Sequence, residues 1–275
     1  MNFKLDKRKI CIAITLAAII ALLLCEIVGV ERFFSGDADE RLIESVEMTL
    51  TRAIGGVVFL TILVYLGYKV IAPFKKPFWR GILVCLPAFA VAVNNFPIQP
   101  VALGLASITA SPPSLALFAF ECLMVAFFEE TCFRGVVFLG FLNKRRYTAS
   151  GRFLAIILSS AVFAVVHLFN VFFGASLPAV ILQIGYSFLI GAMCAVVLVK
   201  TSNIWVCILI HAIYNFGGAI IENCGEGKIW NPVSITLTAV VAVAVTVYMT
   251  LVFFKIKDRE VDRLFETDIK EEGTN

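Results

Sequence analysis

The sequence predicts an all-α polytopic membrane protein of about eight transmembrane helices with both termini cytoplasmic. Hydrophobic residues make up 60% of the 275-residue chain and charged residues only 16%, against about 45–50% and 25% in an average soluble protein. Mean hydropathy is +0.93. The apolar residues fall in runs near the ~20 residues that cross a hydrocarbon core. The basic residues, finally, fall in every second connection between those runs.

The first run, 10–30, follows a basic start with Lys4, Lys7, Arg8 and Lys9. It is long for a signal-peptide core and lacks a small-x-small cleavage site. Leu22-Leu23-Leu24-Cys25 has leucine where a lipoprotein box needs a small residue, so a retained helix is expected. The further runs are 53–72, 81–97, 114–142, 153–173, 178–199, 203–222 and 233–255. Alternating sides then gathers Lys75, Lys76 and Arg80, Lys144, Arg145, Arg146 and Arg152, Lys200, and Lys255 and Lys257 on the side of the N-terminus. The positive-inside rule makes that side cytoplasmic; the short loops and slight extramembrane mass fit a multi-pass plasma-membrane protein of prokaryotic style. Opposite connections are acidic (Glu31, Asp37, Asp39, Glu40, Glu44, Glu47) or nearly uncharged. One of these, 98–113, is apolar and contains prolines, so a loop and a re-entrant segment both fit it. In the tail, Val261, Leu264 and Phe265 at helical spacing predict a short amphipathic helix.

Several classes are excluded or unsupported. Seven of the eight cysteines lie in or at the ends of apolar runs, where a thiol acts as a small hydrophobe. Only Cys224 falls in an exterior loop, and no CxxC pair supports a zinc ribbon or redox motif. No basic patch with interleaved aromatics suggests nucleic acid. No internal repeat supports a transporter of inverted-repeat design.

Polar residues inside the apolar runs mark a site, because an ionisable group in hydrocarbon costs roughly 2.5–3.5 kcal/mol on insertion scales. The chain has two histidines, and both lie in such runs. His167 follows Phe163 by four residues, and His211 precedes Asn215 by four. A third run carries Glu129-Glu130-Thr131-Cys132-Phe133-Arg134. Counted from the cytoplasmic ends at 1.5 Å per residue, Glu129, His167, His211 and Asn215 lie about 20, 21, 12 and 18 Å deep. Glu130 and Arg134 are i,i+4 and suited to an ion pair, while Glu129 is turned about 100° away and free to face another helix. Phe163 stacks one turn before His167 and could hold its ring or close the pocket. A carboxylate shielded from bulk water can take a proton from a water molecule, and a His–Asn pair can donate hydrogen bonds to an oxyanion. Together these groups suit water-dependent amide cleavage.

The three motifs, EExxxR at 129–134, FxxxH at 163–167 and HxxxN at 211–215, occur in the order that resembles the CAAX-protease and bacteriocin-processing family, also called the Abi family, of intramembrane endopeptidases. The resemblance covers about 114–222. It implies that Glu129 activates the attacking water with help from His167, that His211 and Asn215 form the oxyanion hole, and that Glu130 and Arg134 support the site. It also divides the chain into N-terminal spans (1–113), a catalytic core (114–222), a last span (223–255) and a cytoplasmic tail (256–275). The expected partners are a peptide or membrane-protein substrate and membrane lipid. No cofactor is favoured. A zinc ion on Glu129, His167 and His211, with an open fourth position, is the metal-dependent alternative, although no HExxH is present. A non-catalytic immunity or scaffold protein that binds a peptide through the same cluster is the alternative from another class. Outside the motifs, Asn170 is expected to orient His167 or cap its helix, and Glu121 to snorkel outward.

Overall fold

The computed structural model describes residues 39–71 and 78–265 without a break, and only isolated positions before them. The expected first span, the basic N-terminus, Lys75, Lys76 and the tail after 265 lie outside the described residues.

Helix α1 runs Glu40–Leu66 and so starts well before the expected position 53. Asp39 explains the early start: its side chain accepts a hydrogen bond from the backbone N–H of Arg41, and Glu40 complements the positive helix end. The acidic stretch expected as a loop therefore forms the first turns of the helix. Gly67, at φ 74, ends it in the left-handed region. Helix α2, Phe78–Asn94, has 17 residues and an internal Pro87. The 98–113 stretch then folds as a short helix α3, Ile98–Ala102, and a strand β1, Ala106–Ile108.

Helix α4, Pro112–Glu130, starts on a Ser111 cap with proline in its first turn. It continues without a break through a π-helical stretch, Thr131–Phe138, into α5, Leu139–Arg145. Helix α6, Ala149–Val166, is capped by Thr148 and tightens into a 3₁₀ segment, His167–Phe173. Helices α7 (Leu177–Thr201), α8 (Ile204–Cys224) and α9 (Pro232–Phe254) complete the bundle. Strand β2, Gly225–Gly227, follows α8 and pairs antiparallel with β1, Ala106 opposite Gly227. This small two-stranded sheet is an addition to a helical architecture that otherwise matches the all-α expectation. It forms because Gly225 lets the Ser107 carbonyl approach where a Cβ would sit only 2.2 Å away.

Among the described residues five helices are long and apolar enough to cross a membrane: Glu40–Leu66, Ala149–Phe173, Leu177–Thr201, Ile204–Cys224 and Pro232–Phe254. The chain is thus a predominantly helical, multi-pass membrane protein. The basic turns meet at one end of the bundle. There Lys200 pairs with Glu260 at 3.0 Å, Arg152 pairs with Asp258, and the Lys69 N–H donates to the Leu264 carbonyl. The short helix α10, Asp258–Asp262, is the expected tail helix, held there with Val261 and Leu264 buried. At the other end Arg41 donates to the carbonyls of Glu222 and Asn223, and the small sheet lies beside it.

Between the ends, close helix contacts depend on missing side chains. Gly55 and Gly56 on α1 receive the rings of Phe128 and Phe127, which a Cβ would meet at 2.7 and 2.3 Å. Leu63 occupies the space over Gly135 in the π-helical stretch. These contacts fix α4 against α1 and leave its carboxylate face to α8.

Candidate active site

Two adjacent carboxylates from α4 enclose one imidazole from α8. His211 Nδ1 lies 2.7 Å from Glu130 Oε1, and His211 Nε2 lies 3.5 Å from Glu129 Oε2. The two glutamates differ in access: the side chain of Glu130 is 0% exposed and that of Glu129 18%. Glu130 is therefore built into the protein, and Glu129 is the one a water molecule or substrate can reach.

Glu130 is shared. Its other oxygen lies 3.2 Å from Arg134 Nε, the ion pair that the i,i+4 spacing suggested. Arg134 is only 2% exposed, and its Nη1 and Nη2 have no hydrogen-bond partner among the described residues. The guanidinium lies over the Phe163 ring, 4.2 Å from its centroid, and this cation–π contact offsets part of the burial cost. Gly191 on α7 allows the close packing, since a Cβ there would lie 3.3 Å from Arg134 Nη2.

Phe163 joins the motifs. Its ring meets His167 edge-on at 5.0 Å and His211 edge-on at 5.9 Å, and Phe133 packs on it at 4.9 Å. His167, the first residue of the 3₁₀ segment, is half-buried and turns Nδ1 to the Phe163 carbonyl at 2.9 Å. If Nδ1 donates to that carbonyl, Nε2 is left as a bare acceptor facing away from α6. Asn215 is half-buried one turn beyond His211 on α8, with no side-chain hydrogen bond among the described residues.

The structure thus brings Glu129, Glu130, Arg134, Phe163 and His211 into direct contact and seats His167 against the same phenyl ring. Sequence reasoning missed the Glu130–His211 bond, which places the second carboxylate on the same imidazole as the first. It also linked Glu129 chiefly with His167, whereas the contact present is with His211. Asn170, expected to orient His167 or cap a helix, instead donates to Gln183 Oε1 at 2.8 Å. Glu121 accepts a hydrogen bond from Ser45 on α1.

Glu130, His211 and Glu129 thus stand in a row, with one imidazole between a sealed and an accessible carboxylate. Among the described residues no three His, Cys, Asp or Glu side chains converge as a metal-ligand set; both nitrogens of His211 face carboxylates, and His167 Nδ1 faces a carbonyl.

Residues 111–217 match the profile of the Rce1-like family, described as type II CAAX prenyl endopeptidases. The central part of the chain is thus similar to the CAAX-protease family. The matched stretch begins at the cap of α4 and ends just past Asn215, so it contains every residue of the constellation. No curated protein and no solved structure matches the chain.

Proposed function

We propose that the protein is an intramembrane endopeptidase of the plasma membrane that hydrolyses a peptide bond in a membrane-associated protein or peptide. The observation that carries this reading is the paired carboxylate arrangement, with Glu130 sealed behind His211 and Glu129 accessible in front of it. Glu129 takes a proton from a water molecule while the water oxygen attacks the scissile carbonyl carbon. His167, across the shared phenyl ring, holds that water through its free Nε2. The carbonyl oxygen becomes an oxyanion and receives hydrogen bonds from the Asn215 amide and from the His211 Nε2–H, which Glu129 releases as it takes up the water proton, commonly a large catalytic contribution. The proton held on Glu129 then passes to the leaving nitrogen as the C–N bond breaks, giving a carboxylate and an amine.

The family match supports a peptide substrate, and a prenylated CAAX terminus is the substrate class proposed. No metal takes part in this scheme. The test is Glu129→Gln in purified full-length protein presented with an internally quenched, farnesylated CAAX peptide. Cleavage falls to background with the helical fold retained; wild-type rates in that variant would end the proposal.

A further inference from the structure

We infer that Asn170 and Gln183 form a subsite that binds the main chain of an extended peptide next to the candidate active site. This deepens the proposed function and rests on it.

The first observation is placement. Side chains at i and i+3 eclipse in a 3₁₀ helix, at about 2 Å rise per residue. His167 opens such a segment, so Asn170 stands on the same face, about 6 Å further along. Gln183, on α7, closes over it through the 2.8 Å hydrogen bond from Asn170 Nδ2. One turn further along α7 comes Tyr186, whose ring lies 6.1 Å from Tyr214, the residue before Asn215. A row of polar groups thus leads from the α6–α7 connection to both sides of the constellation.

The second observation is surroundings. Phe169, Phe172, Phe173, Ile181 and Leu182 around the pair are all exposed and apolar, while Asn170 and Gln183 are half-buried. Two amides in an apolar surface are costly in a membrane protein. One mutual hydrogen bond satisfies only a small part of their capacity, since each amide offers two N–H donors and two acceptor lone pairs. Among the described residues, Asn170 Oδ1 and Gln183 Nε2 have no partner. One unused carbonyl next to one unused NH₂ is the pattern that an extended peptide complements, with its own alternating N–H and C=O groups.

The third observation is space. Gly185, between Gln183 and Tyr186, is exposed, and a Cβ added there would meet nothing within 4 Å. A chain can therefore pass over α7 at this point on its way to Glu129. The pair reads main chain and not side chain, so it fixes the register of the peptide without choosing its sequence.

The test uses full-length protein in nanodiscs and a fluorescently labelled farnesylated CAAX peptide. Binding is followed by anisotropy in the Glu129→Gln background, and cleavage in the parent background. Asn170→Leu and Gln183→Leu should each weaken peptide binding roughly 3- to 10-fold, the effect of a lost hydrogen bond, and raise KM with kcat little changed. The exchanged pair Asn170→Gln with Gln183→Asn keeps both amides and should restore most of the affinity. A purely structural tie would instead lower kcat by displacing His167. Equal binding by the parent and both leucine variants would overturn the inference alone. No binding of the peptide to any variant would overturn the proposed substrate class and the inference with it.

Discussion

Arg134→Met tests whether the buried ion pair carries the site. Arg134 is 2% exposed and Glu130 0%, with 3.2 Å between Nε and Oε2. Removing the guanidinium leaves an uncompensated carboxylate in the core, whose remaining partner among the described residues is His211. Breaking a buried pair from one side typically costs about 3–5 kcal/mol. The lost cation–π contact with Phe163 is part of that cost and is not added to it. The loss is a large part of the 5–15 kcal/mol that holds a typical domain together. Unfolding of the detergent-solubilised protein by SDS titration measures it. Glu130→Gln combined with Arg134→Met removes both charges and should recover part of the stability lost in the single variant, because neutral replacement of a buried pair is often tolerated. A single variant losing less than ~1 kcal/mol, the value of an exposed pair, would refute the reasoning. So would a double variant less stable than the single one.

Two shorter predictions concern metal dependence and the outer sheet. Exhaustive chelation should leave peptide cleavage unchanged, since His211 is already held at both nitrogens; activity restored only by added zinc would replace the water scheme with a metal-bound one. Gly225→Ala places a Cβ 2.2 Å from the Ser107 carbonyl oxygen, an overpacking that costs about 1–3 kcal/mol. It should lower the midpoint of thermal unfolding and speed proteolysis in the β1 region, with cleavage of the peptide retained.

The parts of this fold that were legible in the sequence are those governed by local rules. Helix positions followed from apolar runs, and the Glu130–Arg134 pair from i,i+4 spacing. Helix starts departed from expectation where a local rule met a competing one. The acidic residues Glu40, Glu44 and Glu47 suggested an exposed loop, yet Asp39 caps a helix that carries them, and the cap was the signal to weigh. The π-helical stretch had no sequence signature. Thr131 sits at its start, with Oγ1 donating to the Phe127 carbonyl at 2.7 Å, and this ties a polar side chain into the backbone where the helix widens. The β1–β2 pairing was not legible because it joins residues more than a hundred positions apart through two three-residue strands. The identity of the site residues was readable from the motifs, but not which imidazole each carboxylate meets, since that depends on the rotation of α4 against α8.

That rotation gives a reason for two glutamates in succession. Adjacent residues on a helix point about 100° apart, and the two nitrogens of an imidazole lie on different edges of the ring. A ring entering edge-on from α8 can therefore be met at Nδ1 by one of two adjacent carboxylates and at Nε2 by the other, as Glu130 and Glu129 do. The roles then separate by burial alone. On the proposed mechanism the sealed glutamate fixes the ring, and the accessible one exchanges protons with water. Glu130→Gln tests this division. Its amide oxygen can still accept the proton of Nδ1, but it gives up the charge that balances Arg134, so His211 loses part of its anchor. A displacement near 1 Å at a catalytic group costs about 10²-fold in rate, so Glu130→Gln should leave a small but measurable cleavage activity where Glu129→Gln leaves none. Equal residual activity in the two variants would mean that burial does not assign the roles, and that the two carboxylates act as one unit around the ring.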